Sequence, residues 1–182
     1  MAEDLVVRFC APTLAGIKTG SLFVCPFEDE ERLRSWLRRM NRLLRSKGLT
    51  ILSLRYRNGR ALIDLYRASQ LRRDLSDQEA ASILHSCGYR PAGAEALLLE
   101  LKHRILYSET FPHEIGLFLG YPPEDVRGFI RDCSACKCTG CWKVYGDVDE
   151  AQALFARYKT CTRVYCELFS RGRSIEQLAV AG

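Results

Sequence analysis

The sequence predicts an α+β fold: a small mixed or antiparallel sheet of about four strands, ferredoxin-like in its opening order, with helices packed on one side. Three observations point there. Asn58-Gly59 separates two runs of alternating apolar and polar residues, the mark of a β-hairpin closed by a tight turn. Leu33, Trp36, Leu37, Met40, Leu43 and Leu44 recur at offsets of three and four, which is a helical stripe. Along the chain the order reads strand, helix, strand, strand, several helices, strand, helix.

The start, MAEDLVVRFCAPTLAG, carries Pro12 and Gly16 and predicts a loop. SLFVCPF (21–27) has the composition of a short strand closed by Pro26. The helix over 28–48 follows, with acidic residues in its first turn and Lys47 and Gly48 at its end; its outer face bears Arg32, Arg34, Arg38, Arg39, Arg42 and Arg45. Such a run reads first as a solvated face. The hairpin occupies 50–67. Helices are expected over 75–89, with Ser76 or Asp77 as N-cap and Gly88 as a stop, and over 92–109. CWKVYGD (141–147) reads as a strand and 149–172 as a long amphipathic helix. A chain of 182 residues, 47% apolar, suits a single domain, 1–182, with a helical region inserted at 68–132.

No apolar run approaches the roughly 18 residues a bilayer span needs, and the N-terminus lacks the basic start of a secretory signal, so no membrane insertion and a cytoplasmic protein are expected. The net charge of +5 permits an anionic partner without requiring one. In a reducing compartment the nine cysteines are buried thiols, metal ligands or reactive groups before they are disulfides.

HEIGLFLGYPPEDVRGFI (113–130) has the spacing of a helix-turn-helix. Gly116, Gly120 and Val126 hold the small, turn and β-branched positions, with Ile115, Leu119, Tyr121 and Phe129 as contacts between the helices. As a DNA reader it is poorer, because Pro123, Glu124 and Asp125 open its second helix and leave only Arg127 and Arg131 for phosphates. Nucleic acid is therefore a disfavoured partner and a packing corner the first reading. His113 and Glu114 can act as proton donor and acceptor or as metal ligands; equally, Glu114 can complement a helix N-terminus while His113 packs nearby.

Cys133, Cys136, Cys138 and Cys141 form C-x2-C-x-C-x2-C, two hooks able to surround a zinc ion or supply thiolates to an iron-sulfur cluster, although the single residue between them matches neither a zinc ribbon nor a bacterial ferredoxin. A redox-sensitive thiol cluster is the other reading. Cys161 and Cys166 read as core-facing. Cys10, with His113 as a conceivable base, is a candidate nucleophile, and an inert core thiol otherwise. Thr13 and Lys18 lie in a Gly-containing stretch that could bind phosphate, though it is not a Walker sequence.

CAPTLAGIKTGSLF (10–23), FPHEIGLFLGYPPEDVRGFI (111–130), and WKVYGD (142–147) with F-x2-YK-x-C (155–161), in that order, resemble the bacterial domain of unknown function family 3793 of clostridia and related anaerobes. The resemblance covers nearly the whole chain. It implies a redox or metal-handling setting and partner, and places the shared function on Cys10, Thr13, Lys18, His113, Glu114, Trp142, Lys143, Tyr145 and Asp147, meeting in one cleft. Two departures matter: Phe9 stands where relatives carry His before the cysteine, and Cys141 stands where they carry Tyr, so the complete four-Cys set belongs to this chain. Three readings follow, in order: a metal- or redox-linked binding protein using the Cys-rich loop and the His-Glu corner, a DNA-binding regulator, and a Cys/His enzyme.

Overall fold

A computed structural model describes residues 2–182, with side chains from Glu3 onward. The fold is α+β, in two compact units: one comprises the chain up to Gln70 together with Thr160–Gly182, the other Leu71–Lys159. The second unit extends the helical insertion expected at 68–132 as far as 159.

In the first unit, α1 (Ala2–Leu14) precedes β1 (Gly20–Pro26), α2 (Glu30–Leu44), β2 (Leu49–Arg57) and β3 (Arg60–Arg67). The expected opening loop is thus a helix. Val6, Val7, Cys10, Ala11 and Leu14 repeat at helical spacing and are all buried, and Pro12, in the last turn, forfeits one intrahelical bond, that of its own missing N–H to the carbonyl of Arg8. The three strands order as β1-β3-β2, with β3 antiparallel to both neighbours, so β1 and β2 run parallel and α2 crosses between them. That is the split βαβ unit expected. The strand expected at 141–147 does not join it: only Lys143–Val144 is extended, in a separate two-stranded hairpin with Cys138–Thr139. Asn58, at φ 50, and Gly59, at φ 68, make the tight turn of the β2-β3 hairpin.

The core lies on one sheet face, where Phe23, Ile51, Ile63 and Leu65 meet Val6 and Leu14 of α1, Leu37, Met40 and Leu44 of α2, and Ile175 and Leu178 of a C-terminal turn. Asp29 caps α2, accepting from the backbone N–H groups of Glu31 and Arg32. Arg67 is buried and pairs with no Asp or Glu side chain among the described residues: it donates to the carbonyls of Thr13 and Leu14, each at 2.7 Å, and of Val180 at 2.8 Å.

The second unit contains α4 (Gln78–Ser86), α5 (Ala94–Tyr107), α6 (Ile115–Phe118), α7 (Pro123–Arg131), β4 (Cys138–Thr139) and β5 (Lys143–Val144); α3 (Ala68–Leu75) leads into it and α8 (Val148–Ser170) out. Of the two residues offered as the α4 cap, Asp77 is the one that serves. No helix among the described residues is long and apolar enough to cross a membrane.

Candidate binding site on the helical corner

The corner at 113–130 forms as its spacing predicts. α6 is a single buried turn, Gly120 turns the chain at φ 75, and Gly116 is packed so closely that an added Cβ would stand 2.8 Å from Val126 and 3.1 Å from Tyr121. One residue departs from expectation. Asp125 is not on an exposed, groove-facing start of α7 but only 3% exposed. Its carboxylate accepts the indole N–H of Trp142 at 2.6 Å and the backbone N–H groups of Tyr145 at 2.7 Å and Gly146 at 2.8 Å. These bonds hold W-K-V-Y-G against α7, which is why the segment satisfies its amides there and not in the larger sheet.

Trp142 is therefore a fixed wall. It stacks on Tyr121 with centroids 4.7 Å apart and meets Phe155 edge-on at 4.5 Å. Beside it opens a cavity of about 370 Å³, lined by apolar and aromatic groups of the corner, including Ile115, Tyr121, Val126 and Phe129, and by Thr139 to Lys143 of the Cys-rich hairpin. His113 packs edge-on against Phe129 at 4.9 Å; Lys143 Nζ lies 5.6 Å from the same ring and donates to the carbonyl of Cys133 at 2.5 Å. Burial first, and the nearby Cys141 second, push the Tyr121 phenol up to about 12.

The pair offered as joint acid and base is split. His113 lines the cavity, whereas Glu114 is buried in the helical interior, accepting from the Tyr89 hydroxyl at 3.1 Å with Arg104 Nη1 at 3.8 Å. Arg104 also lies 4.0 Å from the centre of the Tyr89 ring. Burial, then the Glu114 charge, raises the Tyr89 phenol. Glu114 is thereby a structural anchor.

Of the remaining candidates, Lys143 and Trp142 line the cavity; Tyr145 contributes its backbone N–H to Asp125 and its hydroxyl to the carbonyl of Asp132. Asp147 caps α8 through the N–H of Glu150. Cys10, Thr13 and Lys18 belong to the first unit, the other six to the second. Cys10 is fully buried in α1, and burial raises its thiol, the reverse of what a nucleophile needs. Thr13 is buried too, its hydroxyl 2.9 Å from that of Ser21, so it offers no open phosphate cradle. Lys18 lies within electrostatic reach of the buried Asp64.

Cys136 Sγ meets the Thr139 hydroxyl at 3.7 Å, Cys133 and Cys136 act on Tyr145, and Cys141 acts on Tyr121 and Tyr158. Among the described residues no three His, Cys, Asp or Glu side chains are grouped to hold one metal ion, so this geometry does not assemble the four-thiol ligand set read from the spacing.

Sequence reasoning passed over Asp125 as a binding-site organiser. Its signal was present: Tyr121, Asp125 and Phe129 recur every four residues, which puts the carboxylate on the aromatic face of α7 and its approach.

Among known proteins, the chain is 29% identical over 112 residues to the Holliday junction branch migration complex subunit RuvA of Oleidesulfovibrio alaskensis, a match covering 57% of this chain and 55% of that protein. The chain thus spans about half the length of that curated relative. No solved structure matches. The family described as Protein of unknown function (DUF3793) matches residues 6–179, and the chain belongs to it.

Proposed function

We propose that the protein binds a small ligand in the cavity between the helical corner and the Cys-rich hairpin, the ligand being an aromatic or apolar body with one anionic group. The observation that carries this is the cavity itself: about 370 Å³, walled by aromatic side chains, and built on a carboxylate already engaged by three donors. Because Asp125 is engaged, the polar groups left to orient a ligand are His113, Lys143 and the Thr139 hydroxyl. An ammonium beside aromatic faces favours an anion attached to a flat body. Cys141 lines the same wall, so a ligand there would bear on the thiol's accessibility, which is the form a redox link takes in this reading.

DNA recognition through the corner finds less support. The RuvA resemblance brings that reading to this chain by name, but the unit carrying the corner has eleven Lys and Arg against thirteen Asp and Glu. Arg127 is paired with Glu79. A net negative unit repels phosphate.

Titration with 2-naphthoate, followed by emission and by mass spectrometry, tests the proposal. One saturable site, weakened about tenfold or more in Lys143→Ala and not matched by neutral 2-naphthol, is expected. No saturable binding up to millimolar probe, or equal binding by the variant, overturns it.

A further inference from the structure

Between Glu31 and Asp64 the chain carries ten Lys and Arg and not one Asp or Glu. The first unit as a whole has sixteen basic against nine acidic side chains, and fourteen of the sixteen are arginine. The fold does not disperse this charge. α2 turns Leu33, Leu37, Met40 and Leu44 into the core and leaves Arg34, Arg38, Arg42 and Arg45 on its outer side, at steps of four, four and three residues, so about 6 Å apart along the axis for the four-residue steps. Three outer arginines are answered within the unit: Arg34 by Glu30 at 2.5 Å, Arg38 by Glu31 at 2.9 Å and Arg39 by Glu3 at 3.0 Å. All of those carboxylates lie at the start of α1 or α2. The C-terminal half of α2 has none, and exposed Arg42 and Arg45 form no ion pair among the described residues; nor do Arg57 and Arg60 at the hairpin tip. Arg34 packs its guanidinium 4.7 Å from the ring centre of Tyr56 on β2, while Asn41 bonds the backbone of Ile51, so Arg42 and Arg45 lie at the end of α2 away from the hairpin tip.

We infer that the outer arginine stripe of α2, Arg34, Arg38, Arg42 and Arg45, binds the phosphate backbone of duplex nucleic acid without reading its sequence. The guanidinium fork matches a phosphodiester bidentately, which distinguishes an arginine surface from a lysine one. A bilayer surface fits less well, because the apolar residues of α2 that would enter it are committed to the core. Single strands fit less well too: stacking needs open aromatic faces, and Tyr56 is covered by Arg34 and meets Phe27 edge-on. The outer face of α2 presents arginine, serine and Leu43 and no Asn or Gln suited to base edges, so contact with the backbone dominates. This surface lies in a different unit from the cavity and does not depend on it.

Fluorescence anisotropy of the whole chain with a labelled 20-base-pair duplex, from 50 to 200 mM salt, tests the inference. The four arginines of the stripe predict a log-log salt slope of about −3.6 and a loss of roughly a hundredfold in affinity over that range. Arg42→Glu with Arg45→Glu lowers affinity at least tenfold, and Arg42→Gln with Arg45→Gln lowers it less and flattens the slope by about two. Circular dichroism verifies that each pair folds, and Arg131→Gln in the other unit leaves binding unchanged. Failure to bind duplex at 50 mM salt, wild-type affinity in both double variants, or equal binding of poly-glutamate or phosphatidylglycerol vesicles overturns it.

Discussion

Asp125 and Asp64 are buried carboxylates with opposite accounts. Asp125 has three donors, and its removal strands an indole N–H and two backbone N–H groups. Asp125→Ala is expected to destabilise the second unit by roughly 3 kcal/mol or more, read as a drop in urea midpoint by Trp142 emission. Asp64, on the sheet face opposite the core, is 2% exposed and one of its oxygens has no hydrogen-bond partner. Burial pushes its carboxyl up to about 7, against the opposing pull of Lys18. The unfolded carboxyl titrates near about 3.9, so between these values only the folded chain holds the proton, and stability falls as pH rises from 4 to 7 and then levels. Hydrogen exchange of the β3 amides should accordingly quicken from pH 5 to pH 7.5 beyond its intrinsic rise. In Asp64→Asn, which stays neutral, that excess should vanish. Of the candidate residues, His113 was named for its imidazole and Trp142 and Lys143 through the family resemblance, and all three line the cavity. Cys10 and Glu114 were not assignable, since exposure and partners are set by elements distant in the chain: Glu114 is met by Tyr89, 25 residues earlier.

Elements with a short-range signal were read correctly and those governed by tertiary contacts were not. The β2-β3 hairpin follows from two residues with positive φ, and Gly59→Ala is expected to cost about 1 kcal/mol by chemical denaturation. The same size of loss is expected for Asp77→Ala, which removes the acceptor for the Glu79 and Ala80 N–H groups at the start of α4. α1 was hidden by Pro12, although its apolar spacing is helical and the burial of that stripe outweighs the one bond the proline removes. β5 was overextended because the residues on either side of it, Trp142 and Tyr145, have strand-like composition, yet the backbone N–H of Tyr145 bonds to Asp125, as does the indole N–H of Trp142. Gly128 shows the same long-range control: an added Cβ would enter the ring of Tyr145, so Gly128→Ala should loosen the corner and with it the cavity.

For the whole molecule, the nine cysteines divide by environment more than by motif. Cys133 and Cys141 are exposed, whereas Cys10 and Cys25 are buried with thiols raised by burial. Timed alkylation read by mass spectrometry should modify Cys133 early and Cys10 and Cys25 only as the first unit unfolds. Alkylation of Cys10 in the native protein at the rate of Cys133 would contradict this burial. The two units also differ in how the chain supplies them. Leu71–Lys159 is continuous, but the other unit is written in two pieces, and its core waits for Ile175, Leu178 and Ala179 while Arg67 waits for the carbonyl of Val180. On the ribosome Leu71–Lys159 can therefore reach its native packing before Ile175–Val180 has emerged, and the residues ahead of it in the first unit must remain incomplete until then.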